Sequence, residues 1–325
     1  MKKAAPHRAP AAESPRGGLP HMLCAGVFSM NGIDVSSYQG RVDWAAVRRA
    51  GKDFSILRAG FGNTAKQKDQ RFDENARGAL AAGVAAGAYW FSYAVSEEEA
   101  RREAAACREV LSPYWGRLTF PIYYDYEYAT EQYVKQQTGR DPTRAERTAV
   151  IEAFLDEIEK AGYRGGVYTN RDYITNKLDM NRLKRFELWL ADYSSRQPDP
   201  RAGLRQTASD GSVSGISGAV DLDVSYKDYP AILRAEGKNG LEPEKNWVSD
   251  TTSTVEIAPC GVYTVKITGE DIGLVAGTPG VVCLHRCRRE GEDTFWHVIG
   301  IGEAGQETGI YPAAGGPRIF IARIS

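Results

Sequence analysis

The run Phe120-Pro121-Ile122-Tyr123-Tyr124-Asp125-Tyr126-Glu127-Tyr128 places two carboxylates at i and i+2 after a stretch of apolar and aromatic residues. Such a stretch builds a buried strand, and side chains alternate across a strand, so Asp125 and Glu127 are expected to share one face. Burying one carboxylate beside another costs free energy. The pair tolerates this only by sharing a proton or splitting its pKa values. That split suits acid-assisted cleavage of a glycosidic bond, which needs one protonated acid and one charged carboxylate. A D-x-E tripeptide alone is an ordinary strand end entering solvent, so the elements around it must decide.

Between residues 30 and 235 a strand signal recurs eight times, at Ile33 to Ser36, Phe54 to Ala59, Ala88 to Ser92, Pro121 to Glu127, Gly166 to Thr169, Glu187 to Asp192, Leu204 to Thr207 and Val220 to Val224. Helical stretches follow the earlier strands. Ser96 with Glu99 forms a capping box for a helix to about Leu111, and Pro142 to Ala161 carries Val150, Ile151, Phe154, Leu155 and Ile158 on one stripe. The connections between Asp192 and Val220 are too short and Gly/Pro-rich for full helices. The pattern predicts an α/β fold, an irregular eight-stranded β/α barrel of the TIM type whose last helices are lost. Active sites of such barrels lie at the C-terminal ends of the strands. Strand one delivers Asp34 there, strand four Asp125 and Glu127, and strand eight Asp221. Four inward acids around one mouth repel one another, and structure alone gives no reason to keep them. Tyr93, Tyr126, Trp189 and Tyr193 sit at or beyond strand ends and are candidates to stack on sugar rings, whereas Tyr89 and Tyr124 read as barrel filling.

The remaining chain is read as a leader over 1–29, a polar linker over 236–246 and a small all-β, sandwich-like module over 247–325. The leader is rich in proline and basic residues, with no continuous apolar stretch of signal-peptide length, and Met30 is a candidate start. Without a recognised export signal, the protein is expected to stay in the cytoplasm until released, or to leave by an unrecognised route. With 42% hydrophobic and 26% charged residues and a formal net charge of -1, nothing points to nucleic acid or an anionic membrane surface. No apolar run approaches the ~20 residues that span a bilayer. The five cysteines, Cys24, Cys107, Cys260, Cys283 and Cys287, give no disulfide framework. Cys260, Cys283, His285, Cys287 and His297 lack the spacing of a zinc module and are read as strand alternation, so no metal or cofactor is expected. Gly300-Ile-Gly302-Glu-Ala-Gly305 fits a dinucleotide fingerprint literally, but no helix follows it and it is read as a turn.

The first domain resembles the glycoside hydrolase family 25 lysozymes, the Chalaropsis-type N-acetylmuramidases that include endolysins. The resemblance rests on Gly32-Ile-Asp-Val-Ser-Ser-Tyr-Gln-Gly40, Val42-Asp-Trp44, Asp53-Phe-Ser-Ile-Leu-Arg-Ala-Gly60, Phe120 to Glu127, Gly166-Val-Tyr-Thr-Asn170, Leu188-Trp-Leu-Ala-Asp-Tyr193 and Gly215-Ile-Ser-Gly-Ala-Val-Asp-Leu222, in family order over about 200 residues. It implies hydrolysis of the β-1,4 bond between N-acetylmuramic acid and N-acetylglucosamine in peptidoglycan. It also implies Glu127 as proton donor, Asp125 as its electrostatic or acetamide-orienting partner, and Asp34 and Asp221 as the other two acids. Tyr38, Arg58, Tyr93, Tyr126, Tyr168, Trp189, Tyr193 and Gln206 are the implied substrate contacts. Two departures stand out: Arg205-Gln206-Thr207 where the family usually has Trp-Gln-Tyr, and Asp223 where it usually has Asn. Neither removes a catalytic acid. The alternatives are a barrel glycosidase acting on another N-acetylhexosamine polymer such as chitin, and a catalytically silent saccharide-binding protein. The last module is expected to bind the cell wall.

Overall fold

The computed structural model describes residues 28–242 and 246–325. The expected leader, apart from Phe28 and Ser29, lies outside the described residues, as do Cys24 and the middle of the expected linker. The chain divides into two units, the first ending at Leu233 and taking back Lys238–Gly240, the second holding Arg234–Gly237 and Leu241–Ser325.

In the first unit eight strands close a barrel in sequence order. They are β1 (Met30–Val35), β2 (Phe54–Phe61), β3 (Ala85–Phe91), β4 (Ile122–Asp125), β5 (Gly165–Asn170), β6 (Glu187–Ala191), β7 (Ala202–Gly211) and β8 (Val220–Ser225). The helices are α1 (Trp44–Arg49), α2 (Phe72–Ala81), α3 (Glu97–Leu111), α4 (Tyr128–Thr138), α5 (Arg144–Lys160), α6 (Met180–Leu183) and α7 (Tyr229–Ala235). Their starts are written in the sequence: Asp43, Ser96 and Thr143 each accept a hydrogen bond from the backbone N–H three residues on, at 3.0, 3.3 and 3.3 Å. The strand alternation then divides apolar residues between the barrel interior and the helix-covered outside. Phe54 and Phe120 stack at 4.5 Å. Trp189 is ringed by Tyr89, Tyr123 and Tyr168 at 6.0, 5.3 and 4.4 Å between ring centroids. Tyr124 turns outward and stacks on Phe154 of α5 at 3.9 Å. Gly166 is required by this filling, because a Cβ there would lie 2.6 Å from the Tyr123 ring.

Strand direction is where the structure departs from a TIM barrel. The strands pair in parallel from β1 through β7, but β8 runs antiparallel to both β7 and β1. A parallel crossover needs a dozen or more residues, and the short segment between Gly211 and Val220 allows only a hairpin. Asp221 therefore reaches the mouth from near the start of its strand, not from the C-terminal end.

The expected linker over 236–246 is also corrected in part. Asn239 is fully buried in the first unit. Its amide donates to the backbone carbonyls of Leu118 and Phe120 at 3.0 and 2.9 Å and accepts from the Arg164 N–H at 2.8 Å. One polar side chain thus ties the segments preceding β4 and β5 together, which a linker reading of its polar sequence misses.

The second unit consists of two four-stranded sheets. One has the order β10 (Val255–Ile257), β16 (Phe320–Ile324), β15 (Glu307–Pro312), β12 (Leu274–Ala276). The other has the order β13 (Val282–Glu290), β14 (Asp293–Gly300), β11 (Val262–Gly269), β9 (Trp247–Ser249). Both sheets contribute to a core that includes Ile257, Val265, Ile267, Val298, Ile310, Phe320 and Ile324. β14 ends at Gly300 and no helix follows it.

Asn239→Gly isolates the role of the amide, since glycine readily adopts the left-handed backbone found there, with φ of 57°. Leaving two buried carbonyls and one N–H without this partner is expected to cost about 2–4 kcal/mol. Thermal unfolding checks this: a drop of roughly 5–15 °C is expected, and an unchanged midpoint would mean the amide contributes nothing.

Candidate active site

The barrel mouth opens into a cavity of about 480 Å³ lined by Asp34, Tyr38, Arg58, Phe61, Tyr89, Phe91, Tyr93, Asp125, Glu127 and Asp221, together with Ser36, Gln39 and Ala129. All four expected acids therefore converge on one space. Asp34 and Asp221 are direct partners in the β1–β8 pairing, so the barrel's closing seam puts two of them side by side. Asp125 is the last residue of β4. Glu127 is the N-terminal capping residue of α4, and its N–H donates to Thr130 Oγ1 at 3.4 Å. A second cavity of about 430 Å³ shares Glu127 and continues past Tyr128, Tyr168, Asn170, Arg171 and Tyr193. Glu127 thus lies where two spaces meet.

Every acid of the cluster is pushed above the ordinary carboxylate range, and burial is the leading cause each time. Asp125 is raised well above it by burial and then by Glu127, against the pull of the Arg58 guanidinium. Glu127 is raised by burial. Asp34 is raised by burial, Asp223 and Asp221, with the Gln206 amide working the other way. Asp221 is raised to about 6 by burial, opposed by its own backbone N–H. Asp125 Oδ1 is buried with no protein hydrogen-bond partner. Such an atom costs free energy in the empty site and is available to a ligand.

Arg58 is the cation that reaches this cavity. Its Nε donates to Asp69 at 2.7 Å, another of its nitrogens donates to Ser37 at 3.0 Å, and its guanidinium lies 4.8 Å from the centre of the Tyr38 ring. Tyr38 itself is 85% exposed at the rim. Tyr93 stands against Phe61 and Phe91, at 5.9 and 5.1 Å between ring centroids, and completes an apolar wall suited to a sugar's C–H face. On the other side Gln206 is a hub. Its Nε2 donates to Asp34 Oδ2 at 2.7 Å, and its Oε1 accepts from Tyr168 and Tyr193 hydroxyls at 2.9 and 2.6 Å.

Three aromatic expectations are overturned. Trp189 is buried to 1% exposure inside the barrel, where its indole N–H donates to Asp223 at 2.8 Å, and it lines neither cavity. Tyr126 is equally buried and packs on Tyr173 at 6.1 Å. Alternation demands this: with Asp125 and Glu127 facing the cavity, the residue between them faces away. Tyr89, expected to be filling, lines the cavity. The sequence reading also missed Phe61 and Phe91 at the ends of β2 and β3, although Phe91 shares the parity of Tyr89. Asp223 was noted only as a departure, and its place in the barrel interior follows from its i+2 relation to Asp221.

Comparison with known proteins bears on the fold that carries this site. Residues 33–216 match the model of the glycosyl hydrolases family 25. The chain is 29% identical to the autolytic lysozyme of Clostridium acetobutylicum, over 60% of this chain and 55% of that one. Among solved structures, the modular autolysin LytC of Streptococcus pneumoniae is 27% identical with a TM-score of 0.52, over 60% of this chain and 46% of that one. The chain thus spans about half the length of these two relatives. The spore cortex lytic enzyme SleM of Clostridium perfringens, 18% identical, shares the fold with a TM-score of 0.58 over 91% of this chain and 98% of that one. With residues 33–216 of 325 matched, this chain belongs to the glycosyl hydrolases family 25.

Proposed function

We propose that the first unit is a peptidoglycan muramidase that hydrolyses the β-1,4 bond between N-acetylmuramic acid and N-acetylglucosamine, with Glu127 as general acid and Asp125 as its electrostatic partner. The observation that carries this is the Asp125–Glu127 pair in one cavity, Asp125 buried and Glu127 half-buried where a second cavity meets the first, with Asp34 and Asp221 beside it. Family membership and the similarity to an autolytic lysozyme support the choice of polymer. In the reaction Glu127 gives its proton to the glycosidic oxygen as the carbon–oxygen bond breaks, Asp125 offsets the positive charge growing at the sugar, and water completes the hydrolysis while returning a proton to Glu127. In the empty cavity burial is deepest at Asp125, which favours the proton there over Glu127. Arg58 favours charge on Asp125, and an N–H of the substrate donated to the unpartnered Asp125 Oδ1 would add to that, leaving the proton on Glu127.

A barrel glycosidase for chitin remains the second enzyme reading, and the polar rim with Tyr38, Tyr193 and Arg171 suits either polymer. For the second unit we propose a tethering role, which raises the local concentration of the barrel on an insoluble polymer without adding a catalytic group.

Glu127→Gln keeps the side-chain volume and loses the proton. It should lower turnover of purified peptidoglycan by about 10³-fold or more, at the upper part of the usual range for a general acid. Mass spectrometry of wild-type fragments should show N-acetylmuramic acid at the new reducing ends. Near wild-type lysis by the variant, or N-acetylglucosamine ends, would remove the assignment. The pH dependence has a definite sign. Because the acid form of a group with raised proton affinity is the active one, kcat/KM should persist above the ordinary glutamate pKa of about 4.3 and then fall about tenfold per pH unit. An alkaline limb at or below that value in the wild type contradicts Glu127 as donor. For the tether, the full chain should sediment with purified cell walls and a chain ending before residue 246 should sediment less. Equal retention of the two sinks the tethering role.

A further inference from the structure

The segment between β6 and β7 begins at Asp192 and carries Tyr193, which lines the second cavity and is 54% exposed. A side chain that open to water turns freely unless both of its ends are held. Two neighbours on β7, Arg205 and Gln206, hold them. Side chains alternate across a strand, so the two point to opposite faces. Gln206 reaches the mouth, where its Oε1 accepts from the Tyr193 hydroxyl at 2.6 Å and its Nε2 donates to Asp34. Arg205 reaches the main chain of the segment. Its Nε donates to the carbonyl of Asp192 at 2.7 Å, one terminal nitrogen donates to that of Arg196 at 3.1 Å, and the other donates to that of Ser194. Three alternate carbonyls thus end on one guanidinium, and Tyr193 lies between the first two.

Arginine suits this arrangement because its donors leave a rigid plane in fixed, divergent directions, whereas a lysine offers a single point charge. Arg205 is 7% exposed and lines neither cavity, so any effect it has on a bound sugar must pass through the residues it holds. The carboxylates of the same segment have a different cation. Arg171, directly after β5, donates from Nε to Asp192 at 3.0 Å and lies 3.7 Å from Asp199. Arg171 therefore serves the acidic side chains and Arg205 the main chain. The carbonyls of Ser194 and Arg196 belong to exposed residues, so water can replace Arg205 there without loss of the fold.

We propose that Arg205 is a positioning residue that fixes the main chain of residues 192–196 and so sets Tyr193 as a wall of the second cavity, against the glycan chain that continues beyond Glu127. This deepens the muramidase reading and rests on it for the substrate. Tyr193 stands at the rim and takes no part in the proton transfer, so the wall contributes binding that is equal in the ground and transition states.

Steady-state kinetics on soluble peptidoglycan strands test it. Tyr193→Ala should raise KM by about tenfold and leave kcat within about twofold of wild type. Arg205→Met keeps an apolar stem without donors and should raise KM by about three- to tenfold in the same way. The alkaline limb of kcat/KM should stay at its wild-type position in both, since Glu127 is untouched. In the Tyr193→Ala background, Arg205→Met should add less than about twofold to KM, because nothing is left for it to position. Arg205→Lys keeps the charge but not the fork and should not restore the wild-type KM. An unchanged KM in either single variant, fully additive effects in the double variant, or a wild-type KM in Arg205→Lys overturns the proposal. If Arg205→Met does not fold, Tyr193→Ala and Arg205→Lys decide. A wild type inactive on these strands would remove the muramidase reading and this inference with it, whereas an unchanged KM in active variants removes only the role of Arg205.

Discussion

The structure depends on a concentration of buried carboxyl groups at one end of a barrel, where Arg58 is the one cation among the described residues that line their shared cavity. Asp34, Asp125 and Asp223 are each under a tenth exposed, and Glu127 and Asp221 stand beside them. The other end of the same barrel shows how a buried acid is ordinarily satisfied. Burial would raise Glu187, but hydrogen bonds from Lys227 and Arg164, joined by the Tyr229 hydroxyl at 2.8 Å, outweigh it and hold the carboxyl below its usual range. At the mouth only Arg58 plays that part, and its Nε is already committed to Asp69. The unpaired cluster costs stability that the fold must supply elsewhere, a pattern typical of functional sites. The aromatic packing of Tyr89, Tyr123 and Tyr168 around Trp189 provides part of that support.

The reversal of β8 shapes the site as much as the residue types do. In a fully parallel barrel the start of the eighth strand would lie at the far end, and Asp221 would be remote from Asp125. The hairpin from β7 brings the beginning of β8 to the mouth and pairs Asp221 with Asp34 across the closing seam. The same reversal sends Asp223 inward to the Trp189 indole. One short connection therefore accounts for the fourth acid and for the buried partner below it.

The second unit has its own two-sheet core. Its strands run from three to nine residues, and its sequence carries no constellation of acids comparable with that of the barrel. Among the described residues no group of three or more His, Cys, Asp or Glu side chains could hold a metal ion. A tether fits such a module because it asks only for a binding surface.

The sequence by itself determined the composition of the site and the number of barrel strands. Asp34, Asp125, Glu127 and Asp221 were legible because each sits in an apolar strand context where alternation fixes the direction of the side chain. The capping residues at Ser96 and Thr143 announced their helices because capping is a local interaction. The tertiary structure alone decided what depends on distant chain segments meeting. Trp189 and Tyr126 read as exposed aromatics at strand ends, but the packing of β3, β4 and β5 around one and of Tyr173 against the other made both core residues. Asn239 read as linker because its partners, Leu118, Phe120 and Arg164, lie over 70 residues away. The surroundings of Asp34 belong to this second group: Gln206, 172 positions along the chain, comes within hydrogen-bond reach of it only because the barrel closes.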